Sequence, residues 1–294
     1  MDRLGSLADA VAGPLAAWYA AHARTLPWRT DPSPWRVLVS EVMLQQTPVH
    51  RVLPVYEEWL ARWPTPTALA EDTAGQAVRA WGSLGYPRRA LRLHATATAV
   101  RDTHAGAVPG DTAALRALPG VGEYTAAAVA AFAFGARTPV ADVNVRRVLA
   151  RAAHGHEEPA AASTTAPERA DLLALLPDVP AAAPASAALM ELGALVCTRR
   201  TPRCPACPLA STCRWRAAGH PAHAGPARAR VPFAGTDRQV RGRVMAALRA
   251  THQPLGPAAL DAAWPATAQR ERAVASLVSD GLARATPAGL VLVD

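Results

Sequence analysis

Apolar residues recur at helical spacing through most of the first 215 residues, with Ser, Thr, Asp or Pro at several helix starts and Gly at several ends. The clearest periods predict helices over about 33–46, 48–59, 86–100, 111–118 and 123–134. Strand patterns are scarce in this region. The body of the protein is therefore predicted to be all-α.

The chain changes character after this body. From Arg216 to Ala234 it is rich in Ala, Pro, Gly, His and Arg and has no apolar period, which is typical of a linker. A separate module is expected beyond it, with short helices over 237–250, 256–263 and 267–281 and a β-hairpin over 282–294. Three helices and a hairpin predict a small winged-helix-like fold.

All four cysteines lie in one stretch with the spacing C-x6-C-x2-C-x5-C, at Cys197, Cys204, Cys207 and Cys213. Such clustering indicates a metal site, and four thiolates suit either zinc or an iron-sulfur cube. Structural zinc sites usually have two CxxC-like pairs far apart in sequence, whereas this loop has one CxxC with longer arms. The spacing favours a cluster larger than one ion and leaves zinc as the alternative.

The same loop is strongly basic. It carries five arginines, Arg199, Arg200, Arg203, Arg214 and Arg216. A loop held rigid by a metal centre could present these cations to DNA phosphates. An exposed basic loop without a specific partner is the alternative.

A short turn with two glycines joins two of the predicted helices, in the segment Leu118-Pro119-Gly120-Val121-Gly122. Glycine permits a tight turn whose backbone N–H groups point outward at the start of the next helix, and such a nest binds phosphate. Short turns with glycine between helices are common, so an ordinary connection is the alternative.

Two carboxylates stand out for their surroundings. Asp142 lies where an apolar helix begins, so it is predicted to cap that helix, and the helix dipole should keep it ionised. Glu41 lies in a run from Val37 to Leu44 that predicts a helix buried on most sides, with a solvated face as the alternative. A buried carboxyl that stays protonated can act as a general acid, and an ionised one can stabilise or attack a sugar cation. The pair therefore indicates glycosidic cleavage.

The charge balance favours a polyanionic partner. The formal net charge is +8, and all 31 residues counted as Lys or Arg are arginine. Nucleic acid phosphates would attract such a protein through counterion release, although compositional bias is the alternative. Asp9 and Pro14 interrupt the N-terminal apolar stretch, and no run of about 18 apolar residues occurs. We expect a cytoplasmic protein without a signal peptide or a membrane partner.

Several of these motifs resemble a known family. The segment Ser40-Glu41-Val42-Met43-Leu44-Gln45-Gln46-Thr47 closely resembles the catalytic helix of the MutY-type adenine DNA glycosylases, and so do Leu26-Pro27-Trp28-Arg29 and Leu84-Gly85-Tyr86. The cysteine spacing after Glu191-Leu192-Gly193-Ala194, and the hairpin followed by Asp142, resemble the wider helix-hairpin-helix/endonuclease III superfamily. The resemblance covers roughly residues 10–215, nearly three quarters of the chain.

The resemblance implies roles for individual residues. Glu41 would protonate the adenine leaving group, Asp142 would stabilise the sugar cation, and Tyr124 and Asn144 would orient that site. Base chemistry on a duplex requires that the base be extruded from the stack. Trp28 and Arg29 would line the adenine pocket, whereas Gln46 and Tyr86 would fill or wedge the stack. The full set of implied DNA or base contacts is Trp28, Arg29, Gln45, Gln46, Tyr86, Gly120, Val121 and Gly122.

The resemblance also implies a fold, a cofactor and a partner. The fold would be an all-α helix-hairpin-helix glycosylase of two helical domains, with a 4Fe-4S cluster on the four cysteines. The partner would be double-stranded DNA with a mispaired adenine, bound by a monomer. The domains would be a helical barrel with the hairpin (30–141), an iron-sulfur domain (1–29 and 142–216), a linker (217–235) and the winged-helix-like module (236–294).

The chain departs from the family pattern at several positions. Bifunctional relatives place a Schiff-base lysine in the hairpin region, but position 124 is Tyr and the chain has no lysine, which excludes lysine-based lyase chemistry. Ala187 stands where the family often has an amide or carboxyl side chain, and Val143 replaces the glycine usual after the aspartate. The tail looks too short for the family's Nudix-like domain that reads 8-oxoguanine.

The predicted function is monofunctional removal of adenine opposite 8-oxoguanine or guanine. One alternative is an endonuclease III-like pyrimidine glycosylase with lyase activity, against which the missing lysine argues. A second alternative is a non-catalytic iron-sulfur protein that binds DNA, against which the pair Glu41 and Asp142 argues.

Overall fold

The computed structural model describes residues 4–223 and 233–294, most of which are helical, so the all-α prediction for the body is confirmed. In chain order the helices are α1 Gly5–Ala10, α2 Ala16–His22, α3 Pro27–Thr30, α4 Pro34–Leu44, α5 Val49–Arg62, α6 Pro66–Ala70, α7 Ala74–Ala80, α8 Arg88–Thr103, α9 Thr112–Ala117, α10 Glu123–Phe134, α11 Val143–Ala152, α12 Ala166–Leu175, α13 Ala182–Leu195, α14 Arg214–Ala217, α15 Asp237–Ala250, α16 Pro257–Ala263 and α17 Thr267–Ser279. A π-helical turn at Val11–Leu15 joins α1 to α2, and a 3₁₀ turn spans Cys204–Ala206. Strands β1 (Ala283–Thr286) and β2 (Gly289–Leu292) pair antiparallel. None of the helices within the described ranges is long and apolar enough to cross a bilayer.

The chain forms two compact units, and it passes from one to the other within α4 and within α9. The first unit comprises the described residues of Met1–Val37, Gly110–Ala113 and Gly122–Ala227, and the second comprises those of Leu38–Pro109, Ala114–Val121 and Arg228–Asp294. Within the predicted linker, residues 224–232 lie outside the described residues. The domain boundaries expected from the sequence stay predictions.

Leucine and valine side chains from α1, the π-helical turn, α11, α12 and α13 form the core of the first unit. On α11, Val145, Val148 and Leu149 share one helix face because they are three and four residues apart. They belong to the same buried cluster as Leu189 and Leu192 of α13. This packing fixes the N-terminus of α11, where Asp142 lies.

Aromatic residues lie at the centre of the second unit. The ring of Trp59 on α5 meets Trp63 and Trp81 edge to face, with centroid separations of 4.6 Å and 5.6 Å. Helix α8 packs against α6 and α7. These contacts hold the turn before α8, in which Tyr86 lies.

The helix ends differ from the prediction at two informative places. Helix α4 ends at Leu44 rather than near Gln46, and α8 begins at Arg88 rather than at Tyr86. Gln46 has φ +55° and Tyr86 has φ +47°, values that an α-helix cannot accommodate. The prediction was wrong there because apolar periodicity does not reveal a left-handed residue.

We define the C-terminal module as residues 233–294. It contains the three predicted helices, and α15 has the predicted bounds. The side chains of Val240, Val244 and Leu248 on α15 are buried, as is Leu277 on α17, so these two helices pack on each other. The predicted hairpin is also present as β1 and β2, and Leu290 of β2 bridges to Leu255 before α16.

Candidate active site

Glu41 is buried within α4, with 5% of its surface exposed. Leu38, Val39, Ser40 and Met43 around it on the helix are fully buried. The prediction of a helix buried on most sides is confirmed, and the alternative of a solvated face for Glu41 is wrong. The carboxyl is thereby withdrawn from bulk water, which is the environment that a general acid needs.

Asp142 is the N-cap of α11, as predicted. One carboxylate oxygen accepts hydrogen bonds from the backbone N–H groups of Asn144 (2.9 Å) and Val145 (2.7 Å), and the other accepts one from Asn144 Nδ2 (3.0 Å). Burial nevertheless raises the pKa of Asp142 above its ordinary value, although these hydrogen bonds and the charge of Arg147 lower it. Burial is the largest influence on this pKa, because the cost of burying the anion exceeds the gain from the hydrogen bonds. The expectation that Asp142 is kept ionised stays a prediction.

Asn144 connects Asp142 to the segment that leads into the cysteine loop. Its Oδ1 accepts a hydrogen bond from Arg147 Nη2 (2.8 Å), and the same guanidinium donates to the carbonyls of Gly193 (2.7 Å) and Cys197 (2.7 Å). A Cβ at Gly193 would lie 2.7 Å from Asn144 Cβ, so only glycine allows α13 to approach α11 so closely. Arg147 and Gly193 thus position Asn144 and Asp142.

The four predicted metal ligands, Cys197, Cys204, Cys207 and Cys213, line one small cavity that opens to solvent. Arg151 Nη1 lies 3.4 Å from Cys197 Sγ, and its guanidinium stacks over Trp215 at 4.5 Å from the ring centroid. Burial, and to a smaller extent charge on the other three thiols, raises the pKa of the Cys207 thiol to about 11. This donor set fits a metal centre, because a bound cation would replace the protons that such thiols retain.

The arginines of the cysteine loop are all exposed, at positions 199, 200, 203, 214 and 216. Arg199 pairs with Glu158 at 3.0 Å, and Arg216 donates to the carbonyl of Ala210. A surface ion pair of this kind is weak and is easily exchanged for a phosphate.

The helix-hairpin turn depends on Gly120. Its φ is +79°, and a Cβ there would lie 2.8 Å from Arg92 Cβ on α8. Gly122, the N-cap residue before α10, has φ −88°, so its conformation does not require glycine. Val121 is buried, which leaves its backbone as the part of the residue that can contact DNA.

Gln45, Gln46 and Tyr86 lie in two adjacent turns of the second unit. Thr47 Oγ1 links these turns, since it lies 3.3 Å from the Gln45 carbonyl and 3.2 Å from the Leu84 carbonyl. Gln46 and Tyr86 are exposed and both have left-handed backbones. Such conformations cost free energy for residues with a side chain, and they persist where the surroundings impose them.

Trp28 and Arg29 lie on the short helix α3, against α13. Trp28 is buried, and Arg29 Nη2 donates to Glu191 Oε2 at 2.9 Å. Glu191 is fully buried and also accepts three hydrogen bonds from Arg24, at 2.7, 2.8 and 3.0 Å. Burial acts to raise the pKa of Glu191, but these bonds outweigh it and hold the pKa at about 2. The pair of arginines on Glu191 is a feature that the sequence analysis missed.

Tyr124 lies near the start of α10, half-buried, and packs against a small cluster of Ala128, Ala131 and Val140. With Asp142 and Asn144 it belongs to the first unit, whereas Glu41 and Tyr86 belong to the second. Within the first unit, the structure brings Asp142 and Asn144 into direct contact through a side-chain hydrogen bond.

Comparison with known proteins shows the family. Residues 39–169 match the model of the HhH-GPD superfamily base excision DNA repair proteins. The chain is 54% identical to the adenine DNA glycosylase of Mycobacterium tuberculosis (strain CDC 1551 / Oshkosh), over 94% of this chain and 90% of that protein. It is 51% identical to the adenine DNA glycosylase of Mycolicibacterium smegmatis, over 94% and 93% of the two chains.

This chain belongs to the adenine DNA glycosylase family. The resemblance seen in the sequence is thereby confirmed, as is the placement in the helix-hairpin-helix superfamily. The matched region 39–169 includes Glu41, the hairpin and Asp142.

The fold has close likenesses among solved structures. A thermostable thymine-DNA glycosylase aligns over 74% of this chain and all of its own, with a TM-score of 0.64 and 23% identity. At that identity the likeness establishes the fold alone, which agrees with the helix-hairpin-helix superfamily that the family match shows.

Arg89 is a further residue that the sequence analysis missed. Its buried guanidinium donates to the carbonyls of Val42 and Met43 at the end of α4, both at 3.0 Å, and to Thr47 Oγ1 and the Gly85 carbonyl. Burial lowers the pKa of Arg89 to about 10. Arg89 thus ties the end of the Glu41 helix to the turn that carries Tyr86.

We expect Arg89→Met to lower the free energy of unfolding by about 2–4 kcal/mol, because several buried carbonyls lose their donor. Chemical denaturation monitored by circular dichroism measures this. The control is Arg88→Met, whose exposed ion pair with Asp280 is worth at most about 1 kcal/mol. Equal losses for the two variants would show that Arg89 has no such role.

Proposed function

We propose that this chain hydrolyses the N-glycosidic bond of adenine mispaired with 8-oxoguanine or guanine in double-stranded DNA. Two adenine DNA glycosylases of similar length, at 54% and 51% identity, support the choice of base. The observation that carries the proposal is the partly buried Asp142, held by three hydrogen bonds at the start of α11. A carboxylate fixed in that way can face a developing sugar cation without moving.

Glu41 supplies the proton in this proposal. Its carboxyl O–H donates to a ring nitrogen of adenine while the C–N glycosidic bond breaks and the bonding electrons stay with the base. Adenine then leaves as a neutral molecule, and the sugar becomes an oxocarbenium ion. The burial of Glu41 in α4 supports this role, since a carboxyl shielded from water keeps its proton more readily.

Asp142 stabilises the sugar cation until water adds to it. Burial raises the pKa of this carboxyl, so its anion is poorly solvated in the absence of DNA. A poorly solvated anion gains more from a nearby cation than an anion in water does. Asn144 holds the carboxylate, and Tyr124 occupies the position where a lyase would carry its lysine.

The absence of lysine supports a monofunctional reaction. Lysine-based lyases cut the strand through a Schiff base, and this sequence contains no lysine side chain to form one. Water is then the nucleophile, and the product is an abasic site in an intact strand.

The remaining predicted residues support base extrusion. Gln46 and Tyr86 are exposed on turns with left-handed backbones, a suitable placement for side chains that enter the base stack. The backbone at Gly120–Gly122 would bind a phosphate, and Trp28 with Arg29 would line the base pocket. Because Arg29 also holds Glu191, it would contribute to the pocket from a fixed position.

A 4Fe-4S cluster on the cysteine loop would serve as a scaffold for its exposed arginines. No three His, Cys, Asp or Glu side chains within the described part of the chain are close enough to hold a single metal ion. The four thiols nevertheless share one cavity, which supports a metal centre on this loop, and the spacing of the cysteines is what favours a cluster over zinc.

Protein purified without oxygen should therefore be yellow-brown and contain about four irons per chain, as four thiolates around a cube imply. Cys204→Ser should lower the iron content and the visible absorbance together. Iron analysis by plasma emission spectrometry gives the result. Stoichiometric zinc without iron would contradict the cluster.

The function is tested with duplexes that carry adenine opposite 8-oxoguanine, adenine opposite guanine, or thymine glycol, each followed by alkali. The proposal predicts that the adenine strand of both adenine duplexes breaks after alkali. Without alkali, no strand should break. Cleavage of thymine glycol without alkali would identify a pyrimidine glycosylase with lyase activity. Tight binding without any base release would identify a non-catalytic DNA-binding protein.

A further inference from the structure

The C-terminal module has no part in the chemistry proposed above, yet it is tied to helix α7. Arg79 of α7 donates from Nη1 to the carbonyls of Leu248 (3.3 Å) and Thr251 (2.9 Å) at the end of α15. In return, Arg249 Nε donates to the Val78 carbonyl at 3.2 Å. Each helix end thus receives an arginine from the other, which satisfies carbonyls that a helix leaves unpaired.

A second set of contacts fixes the module near Tyr86. Asp280, which follows α17, forms two ion pairs. Its Oδ1 lies 3.1 Å from Arg88 Nη1 of α8, and its Oδ2 lies 2.6 Å from Arg241 Nη2 of α15. A Cβ at Gly75 would overlap the carbonyl oxygen of Val293, so the chain end lies directly on α7. The module therefore has a defined position beside the turn that carries Tyr86.

Arg238, in the first turn of α15, contacts the Tyr86 side chain directly. Its Nη2 donates to the Tyr86 hydroxyl at 3.0 Å, and its Cζ lies 4.9 Å from the centre of the ring. Arg89 Cζ lies 5.6 Å from the centre of the same ring, and Arg238 Cζ lies 5.9 Å from the centre of the Phe233 ring. Tyr86 remains 43% exposed despite these contacts.

Arg238 is well suited to act on DNA through Tyr86. Within the described ranges it forms no ion pair with a carboxylate, whereas Arg241 on the same helix pairs with Asp280. A tyrosine ring on the surface samples several rotamers, and a hydrogen bond together with a cation–π contact restricts it to one. Restricting the ring before DNA binds reduces the entropy lost on insertion into the stack.

We propose that Arg238 is a positioning residue for Tyr86, so that the C-terminal module forms part of the surface that recognises the mispair. This inference rests on the proposed function, since it needs Tyr86 to enter the base stack. The module would contribute to discrimination between mispaired and matched DNA, without touching the reacting atoms. Its partner is the duplex beside the mispaired adenine.

The test compares the unsubstituted protein with Arg238→Ala, Tyr86→Phe and the double variant. Tyr86→Phe removes the hydroxyl that accepts from Arg238 but keeps the ring. Arg243→Ala is the matched control, because Arg243 is an exposed arginine of the same helix. Fluorescence anisotropy gives the affinity for a duplex with adenine opposite 8-oxoguanine and for a matched duplex. A 2-aminopurine beside the mispair reports local unstacking.

Arg238→Ala should lower the preference for the mispaired over the matched duplex about fivefold, the effect of one hydrogen bond and one cation–π contact. It should also reduce the 2-aminopurine signal. Arg243→Ala should weaken binding to both duplexes equally and leave their ratio unchanged. The double variant should lose no more than Arg238→Ala alone, because both substitutions break the same contact.

An unchanged preference in Arg238→Ala would overturn the inference, and so would additive losses in the double variant, which would indicate a direct phosphate contact. Adenine release by the wild-type protein separates this failure from a failure of the proposed function. If the wild type releases adenine while Arg238→Ala discriminates normally, only the role of Arg238 is wrong. If the wild type releases none, the proposed function is wrong, and the binding preference and the 2-aminopurine signal then decide the role of Arg238.

Discussion

Glu41→Gln should lower the single-turnover rate of adenine release by about 10²–10⁴-fold, the usual contribution of a general acid. Glutamine keeps the shape of the side chain and its hydrogen-bonding capacity, but it has no acidic proton to give to the leaving base. Because Glu41 is buried within α4, water does not readily substitute for it. Quenched-flow analysis of an adenine–8-oxoguanine duplex, with enzyme in excess, measures the rate.

Affinity for the mispaired duplex should survive in Glu41→Gln, since the substitution removes no cation. The matched control is Glu58→Gln on the exposed face of α5, which should release adenine at the wild-type rate. Wild-type cleavage by Glu41→Gln would show that another group donates the proton.

Asp142→Asn should abolish detectable adenine release while the melting temperature falls only slightly, since the one hydrogen bond lost is that from Asn144 Nδ2. Asn caps a helix about as well as Asp, and its Oδ1 can still accept from the N–H groups of Asn144 and Val145. Burial already disfavours the charged form of Asp142, so loss of the charge costs the fold little. The sugar cation, however, loses its counter-charge. Calorimetry and single-turnover cleavage on the same sample test both statements.

Thr165→Ala is the control for Asp142→Asn, because Thr165 caps α12 with a reciprocal hydrogen bond to Glu168. Its loss should cost about 1 kcal/mol of stability and leave cleavage per folded molecule unchanged. Affinity of Asp142→Asn for the mispaired duplex should persist or rise, since repulsion from phosphates falls. A destabilised Asp142→Asn that still releases adenine at the normal rate would reduce Asp142 to a cap.

Local patterns in the sequence were sufficient to predict much of the fold. Helix α10 has the predicted bounds, and Asp142 caps α11 as its position before an apolar helix indicates. The burial of Glu41 also followed from the apolar run around it. Each of these features depends on residues within a few positions of one another.

Features made by distant residues were not predictable in this way. Arg89 lies more than 40 positions from the α4 carbonyls that it binds, and Arg147 lies about 50 positions from Cys197. Apolar periodicity assigns such arginines to helix surfaces. The raised pKa of Asp142 was not predictable for the same reason, because its burial depends on tertiary packing.

The position of the C-terminal module also depends on contacts between residues that are far apart in the sequence. Its helices and hairpin were predictable from local patterns, since α15 is bounded as expected. The contacts of Arg79 and Arg249 with backbone carbonyls leave no pattern in the sequence. The contact of Arg238 with Tyr86 joins residues 152 positions apart, so the structure was needed to find it.

The most direct test of the central claim is the identity of the released product. A duplex with a single adenine opposite 8-oxoguanine is incubated with the protein, and the small molecules are analysed by mass spectrometry while the strands are resolved with and without alkali. We predict one free adenine per duplex and an adenine strand that breaks only after alkali. A strand that breaks without alkali as adenine is released, or a duplex that is bound but yields no adenine, would contradict a monofunctional adenine glycosylase.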